Sequence, residues 1–126
     1  WLRAARVAVV SSTGFESFSL SALEAMAAAR PMVVTSAGAL PELIEHGRSG
    51  LVVPPGDAHE MALALDRLLA DRGFSQDCAL AAHDTARRRF DTPRVLPRML
   101  QAYEAAADYY YGVQACSPLL AAGSGQ

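Results

Sequence analysis

Three short runs, Arg6-Val7-Ala8-Val9-Val10, Pro31-Met32-Val33-Val34-Thr35 and Leu51-Val52-Val53, constrain this chain more than any other feature. Each is rich in β-branched or other apolar residues and each is closed by turn formers: Ser11, Ser12 and Gly14 after the first, Gly38 after the second, Pro54-Pro55-Gly56 after the third. Runs of this kind are how strands buried on both faces look in sequence. The stretches between them have helical character. Strands that alternate with helices run in one direction and pair through crossovers, so the expected architecture is α/β, a Rossmann-like parallel sheet with flanking helices.

The helices can be placed in the same way. From Phe18 to Ala29 the side chains that are not apolar are Ser19, Ser21 and Glu24, which predicts a helix packed on all sides. Pro41 suits the first position of a short helix to His46, and Gly47-Arg48-Ser49-Gly50 reads as a turn. Asp57 with Glu60 matches a capping box for a helix ending near Ala70, with Met61, Leu65, Leu68 and Leu69 as its stripe. A further helix covers residues 74–90. Its last turn holds Arg87-Arg88-Arg89, read as a solvated helix end favoured by the dipole, with a patch for acidic lipid or acceptor as the alternative. Thr92-Pro93 opens a last helix towards Tyr111, which Pro97 should kink or delay. On it, Tyr103, Tyr110 and Met99 form a stripe that packs on this domain or, as the family resemblance given below implies, faces a missing amino-terminal domain. Residues 113–126, ending in Gly123-Ser124-Gly125, lose all periodicity and read as a disordered tail.

Chemistry concentrates at the first strand-to-helix junction. Glu16 falls in the loop at the carboxyl end of the first strand, which is where open α/β sheets bind ligands. First-turn amides from about Ser17 to Leu20 offer free N–H donors and the positive end of a helix dipole, suited to phosphate. Glu24 has Leu20, Leu23 and Ala27 as helical neighbours, which predicts a carboxylate directed with the core stripe and at least partly covered. Two carboxylates and a set of amides around one crevice suit a ligand with phosphate and vicinal hydroxyls, such as a nucleotide sugar. The competing reading is capping, since Thr13-x-x-Glu16 and Ser21-x-x-Glu24 both match the capping-box pattern. It fails for Ser21, which lies inside the helix. For Thr13 it requires a helix that starts at Gly14, a poor helix former.

Ser12, Glu16-Ser17-Phe18, Leu23-Glu24-Ala25-Met26-Ala27, the run from Pro31 to Thr35, Gly38, Pro41-Glu42-Leu43-Ile44, Gly47, the run from Gly50 to Pro54 and Gly56-Asp57 follow one another in order. Together they resemble the carboxyl-terminal half of a retaining glycosyltransferase of the family 4 type, with the two-domain GT-B fold and an E-x7-E pair that Glu16 and Glu24 match. The resemblance implies a partial nucleotide-sugar-binding domain over residues 1–112, its last helix beginning near 92. It implies a catalytic place for Glu16 beside the donor sugar, ribose hydroxyls gripped by Glu24, and donor phosphates and sugar met by the loop of Ser17, Phe18, Ser19 and Leu20. Where the family often has glycine, this chain has Ser19 and Ala29, which leaves the donor sugar open and should alter how the helix ends. The implied reaction is sugar transfer from a nucleotide-sugar donor to an acceptor, whether sugar, lipid or small molecule, with retention of configuration. The alternative is a non-catalytic module that binds a nucleotide sugar or packs on a partner.

All eleven basic residues are arginine, and none forms the Arg and Lys pair with which similar enzymes neutralise the donor diphosphate. The chain therefore reads as part of an enzyme, without its amino-terminal domain and inactive alone. A net charge of −2 argues against nucleic acid as a partner. No dinucleotide fingerprint, Walker A, zinc-protease or nucleophile-elbow pattern is present, and no cofactor is implied. Cys78 and Cys116 lie far apart without a His/Cys constellation, and the cap role accounts for two of the three members of the Asp57-x-His59-Glu60 cluster, so no metal site is expected. A reduced, cytoplasmic setting is the expectation, with a peripheral membrane position as the alternative.

Overall fold

A computed structural model describes residues 2–111, with the backbone alone for Tyr110 and Tyr111. The sequence-based readings of Tyr110 in a stripe, of Cys116 and of a disordered tail at 113–126 lie outside the described side chains and residues. The chain divides into two compact units, Trp1–Phe90 and Asp91–Gln126.

The first unit is a three-stranded parallel sheet wrapped by helices. Strands β1 (Ala8–Val10), β2 (Met32–Thr35) and β3 (Leu51–Val53) lie in the order β1-β2-β3. In register, Val9 faces Val33, and Val34 faces Val52. Helices α1 (Leu20–Ala27), α2 (Leu40–Leu43), α3 (Ala58–Ala70) and α4 (Arg72–Phe90) complete it. All four residues of β2 are buried, as expected of a central strand covered on both faces. On one face Met32 and Val34 pack with Ala22, Ala25 and Met26 of α1, Leu40 and Leu43 of α2, and Ala82 and Ala86 of α4. On the other, Val33, Leu51 and Val53 pack with Ala64 and Leu68 of α3 and Cys78 of α4. Burial pushes the Cys78 thiol above its ordinary range, Asp77 adds to the shift, and Arg67 opposes it.

The two sheet edges differ. On the outer side of β3, the Val52 N–H donates to Nδ1 of His46 at 3.0 Å. Among the described residues no strand flanks the outer side of β1, where Val9 is 46% exposed.

Several local expectations are corrected. Helix α1 starts at Leu20, not near Phe18, because Ser19 is its N-cap and accepts the Ala22 N–H at 3.4 Å. It is not packed on all sides: Leu20 is 66% exposed, and Ser21, Glu24 and Ala27 are exposed too. A helix rich in alanine needs a narrow seam to bury, and Ala22, Ala25 and Met26 supply it. Its end is a Schellman arrangement, with Ala29 N–H to Met26 O at 3.0 Å and Arg30 N–H to Ala25 O at 2.9 Å. Ala29 consequently has φ of 53°, the conformation that glycine would adopt without strain. Helix α2 stops at Leu43, short of His46. Half of the proposed capping box forms at α3: Asp57 accepts the Glu60 N–H at 3.0 Å, while the Asp57 N–H donates to Pro54 O. Leu69, placed in the α3 stripe, is 39% exposed, and Ala64 takes its place in the core.

The second unit contains α5 (Thr92–Tyr111), which starts at Thr92 and runs through Pro97 without delay. Its Met99 and Tyr103 are exposed.

Candidate functional site

The site is built at the carboxyl ends of the strands, from the loop that leaves β1. The loop is fastened to its neighbours in sequence order. Thr35, at the end of β2, donates its hydroxyl to Ser12 O at 2.6 Å, and Ser12 in turn donates its hydroxyl to Glu16 Oε2 at 2.8 Å. The Glu16 carboxylate is therefore oriented by a hydroxyl of its own loop, and not by Thr13 as a capping box would require. Its backbone is held from the other side, where the Ala39 N–H donates to Glu16 O at 2.8 Å. Gly38 permits that approach. It has φ of 54°, and a Cβ there would lie 2.6 Å from Glu16 N and overlap the Glu16 carbonyl.

Ser17 is exposed and Phe18 half open, its ring meeting Phe90 of α4 edge to face at a centroid separation of 5.8 Å. Ser19 is buried as the cap, and its hydroxyl lies 3.1 Å from that of Ser21. Among the described residues the N–H groups of Phe18, Ser19, Leu20 and Ser21 meet no acceptor, so the amide donors expected here are present, though shifted to the true helix start. Glu24 departs from expectation: its carboxylate is exposed on the open face of α1, with Leu20 and Ala27, and is not covered by the core. The helix period put Glu24 beside Leu20, and Leu20 itself faces outward.

A cleft of about 250 Å³ lies at the carboxyl ends of the strands, lined by Ser11, Thr13, Thr35, Asp57 and Met61 among others. Sequence reasoning missed these residues. The rule that ligands sit beyond the carboxyl ends of all strands of such a sheet would have found them, had it been applied to the segments after β2 and β3 as well as β1. The arginines nearest in sequence to β1 and β2 are engaged at the opposite ends of the strands. Arg6 donates to Leu69 O at 3.2 Å, and Arg30 donates to Ala28 O at 3.0 Å and Ala5 O at 3.2 Å. In the last turn of α4, Arg88 pairs with Asp84, and Arg89 donates to Glu42 O at 2.7 Å. Among the described residues no group of three His, Cys, Asp or Glu is placed to hold a metal, and no helix is long and apolar enough to cross a membrane.

Comparison with known proteins bears on the fold and the family. The chain is 39% identical over 112 residues to the D-inositol 3-phosphate glycosyltransferase of Pseudarthrobacter chlorophenolicus, covering 89% of this chain and 26% of that protein. Among solved structures it superposes on sucrose-phosphate synthase of Thermosynechococcus elongatus with a TM-score of 0.81 and 31% identity, over 86% of this chain and 27% of that one. It superposes on Anabaena HepE in complex with UDP-glucose with a TM-score of 0.80 and 28% identity, over 82% of this chain and 29% of that one. The chain thus spans about a quarter of the length of these relatives. The fold is that of a piece of a GT-B glycosyltransferase. With residues 1–71 matching the family described as Glycosyl transferases group 1, the chain belongs to that family.

Proposed function

We propose that this chain supplies part of the donor site of a retaining glycosyltransferase of the family 4 type, which moves a sugar from a nucleotide-sugar donor to a sugar, lipid or small-molecule acceptor. The bond from the anomeric carbon to the diphosphate oxygen breaks and a bond to the acceptor oxygen forms. The acceptor proton passes to the departing diphosphate. Glu16 lies beside the reacting carbon and stabilises charge developing on the sugar, Glu24 accepts hydrogen bonds from the ribose hydroxyls, and the amides of Phe18, Ser19 and Leu20 meet the phosphates with Ser17 at their flank.

The observation that carries this reading is the fastening of Glu16: one carboxylate oxygen held by Ser12, the carbonyl held by Ala39, at the carboxyl edge of a parallel sheet and next to free amides. A preorganised carboxylate in that place suits charge stabilisation better than a helix cap, because the hydrogen bond that it accepts comes from a side-chain hydroxyl and not from a helix amide. The exposure of Glu24 is in keeping with a group that meets ligand. The cleft of about 250 Å³ adjoins this site through Ser11 and Thr13 of the same loop, and none of Glu16, Ser17, Phe18, Ser19, Leu20 and Glu24 lines it. The remaining walls are assigned to an amino-terminal domain of the same protein. The binding of UDP-glucose by the similar HepE supports a nucleotide-sugar donor.

The test uses the enzyme that contains this chain, with donor affinity and turnover measured separately. Glu24→Ala should weaken donor binding by about tenfold or more, since hydrogen bonds to a charged acceptor are worth about 1.5–3 kcal/mol each. Glu16→Gln keeps size and most hydrogen bonding but loses charge, so turnover should fall far more than affinity. Near-normal turnover with a lower melting temperature would leave Glu16 as a structural residue.

A further inference from the structure

We infer that Phe90, in the last turn of α4, is a positioning residue for the donor loop, an inference that rests on the reading of that loop given above. The Phe90 side chain has no hydrogen-bonding group and belongs to no recognised motif of the site, yet its ring packs against the core cluster and is the aromatic partner of Phe18, at 5.8 Å and an interplanar angle of 65°. That edge-to-face geometry sets direction as well as distance, because the positive rim of one ring seeks the negative face of the other. Phe18 immediately precedes Ser19, the residue whose side chain starts α1 and whose neighbours offer the free amides.

The same turn of α4 reaches the other side of the loop. Arg89 places its guanidinium 5.1 Å from the Phe90 centroid and donates to Glu42 O of α2 at 2.7 Å. Helix α2 follows directly on Ala39, whose N–H holds Glu16 O. A continuous bracket results, from Glu16 through Ala39 and α2 to Arg89, then through Phe90 to Phe18 and Ser19. One helix turn thus touches the Phe18 end of the segment directly and reaches the Glu16 end through α2 and Ala39. Ser12 and Ala39 fix Glu16 at its carboxylate and its carbonyl, whereas among the described residues the Phe90 ring makes the directional side-chain contact with Phe18. Loss of the ring should loosen the amide end of the loop while leaving the carboxylate end in place.

The test again uses the whole enzyme, with the tightest binder among UDP-, ADP- and GDP-glucose as probe. Phe90→Leu keeps bulk but removes the ring, Phe90→Tyr keeps the ring, and Leu68→Ala, in the α3 core away from the site, controls for lost stability. Phe90→Leu should raise the donor Kd about threefold to tenfold. Phe90→Tyr should restore it, and Leu68→Ala should lower the melting temperature without a change in Kd. An unchanged Kd in folded Phe90→Leu, or a Kd that tracks melting temperature across all three variants, overturns the inference. Glu24→Ala run alongside separates the two levels. If it weakens binding while Phe90→Leu does not, the positioning role alone falls; if it has no effect, the assignment of the site falls with it.

Discussion

Gly38 shows how a single absent side chain sets the geometry of the candidate site. Any Cβ there would overlap the Glu16 carbonyl, and its φ of 54° is costly for other residues. Gly38→Ala combines backbone strain with a clash against main chain, which cannot move aside as a flexible side chain could. It should cost about 2–4 kcal/mol, read from the denaturant midpoint, whereas Gly14→Ala, with open space around it, should be nearly silent. Equal effects at the two positions would show that the Gly38 contact does not constrain the fold. At this scale the sequence was partly legible. Glu16 could be placed in the loop because a strand ends before it, but its partners Ser12 and Ala39 come from a hydroxyl four residues away and an amide beyond β2. No local pattern reveals the second. For Glu24 the apolar composition of α1 misled: alanine and leucine count as apolar, yet most of their area on one side of α1 meets no protein atoms.

The elements were read with more success, because period and punctuation are local signals. All three strands and the helices from α1 to α5 are where β-branched runs, caps and turn residues predict them, with ends that coincide or move by up to three residues. The shifts have side-chain causes. Ser19 delays α1 by capping it, and the start of β1 at Ala8 coincides with the Ala8 N–H bond to Pro31 O. The end of α1 carries the clearest prediction. Ala29 holds a left-handed conformation within a Schellman bond pattern, so Ala29→Gly should stabilise the unit by about 0.5–1 kcal/mol, the relief of strain exceeding the entropy gained by the unfolded chain. Thermal unfolding would register it as a small rise in midpoint. A fall would mean that the Ala29 methyl contributes packing that outweighs its strain.

For the first unit as a whole, the layered arrangement followed from alternation of strands and helices, while the difference between the two sheet margins did not. That difference depends on His46, whose ring folds back six residues to meet the Val52 N–H, a contact that no periodicity encodes. The exposed margin at Val9 predicts that the isolated chain associates as its concentration rises, and that Val9→Lys suppresses this without unfolding it. Sedimentation equilibrium decides, since unchanged association in Val9→Lys would direct attention to another surface. His46 has a consequence for assembly. Its imidazole occupies the outward N–H of Val52, so the row of backbone groups that a further strand would need is interrupted beside β3 and, among the described residues, left open beside β1, which gives the sheet a built-in polarity of growth.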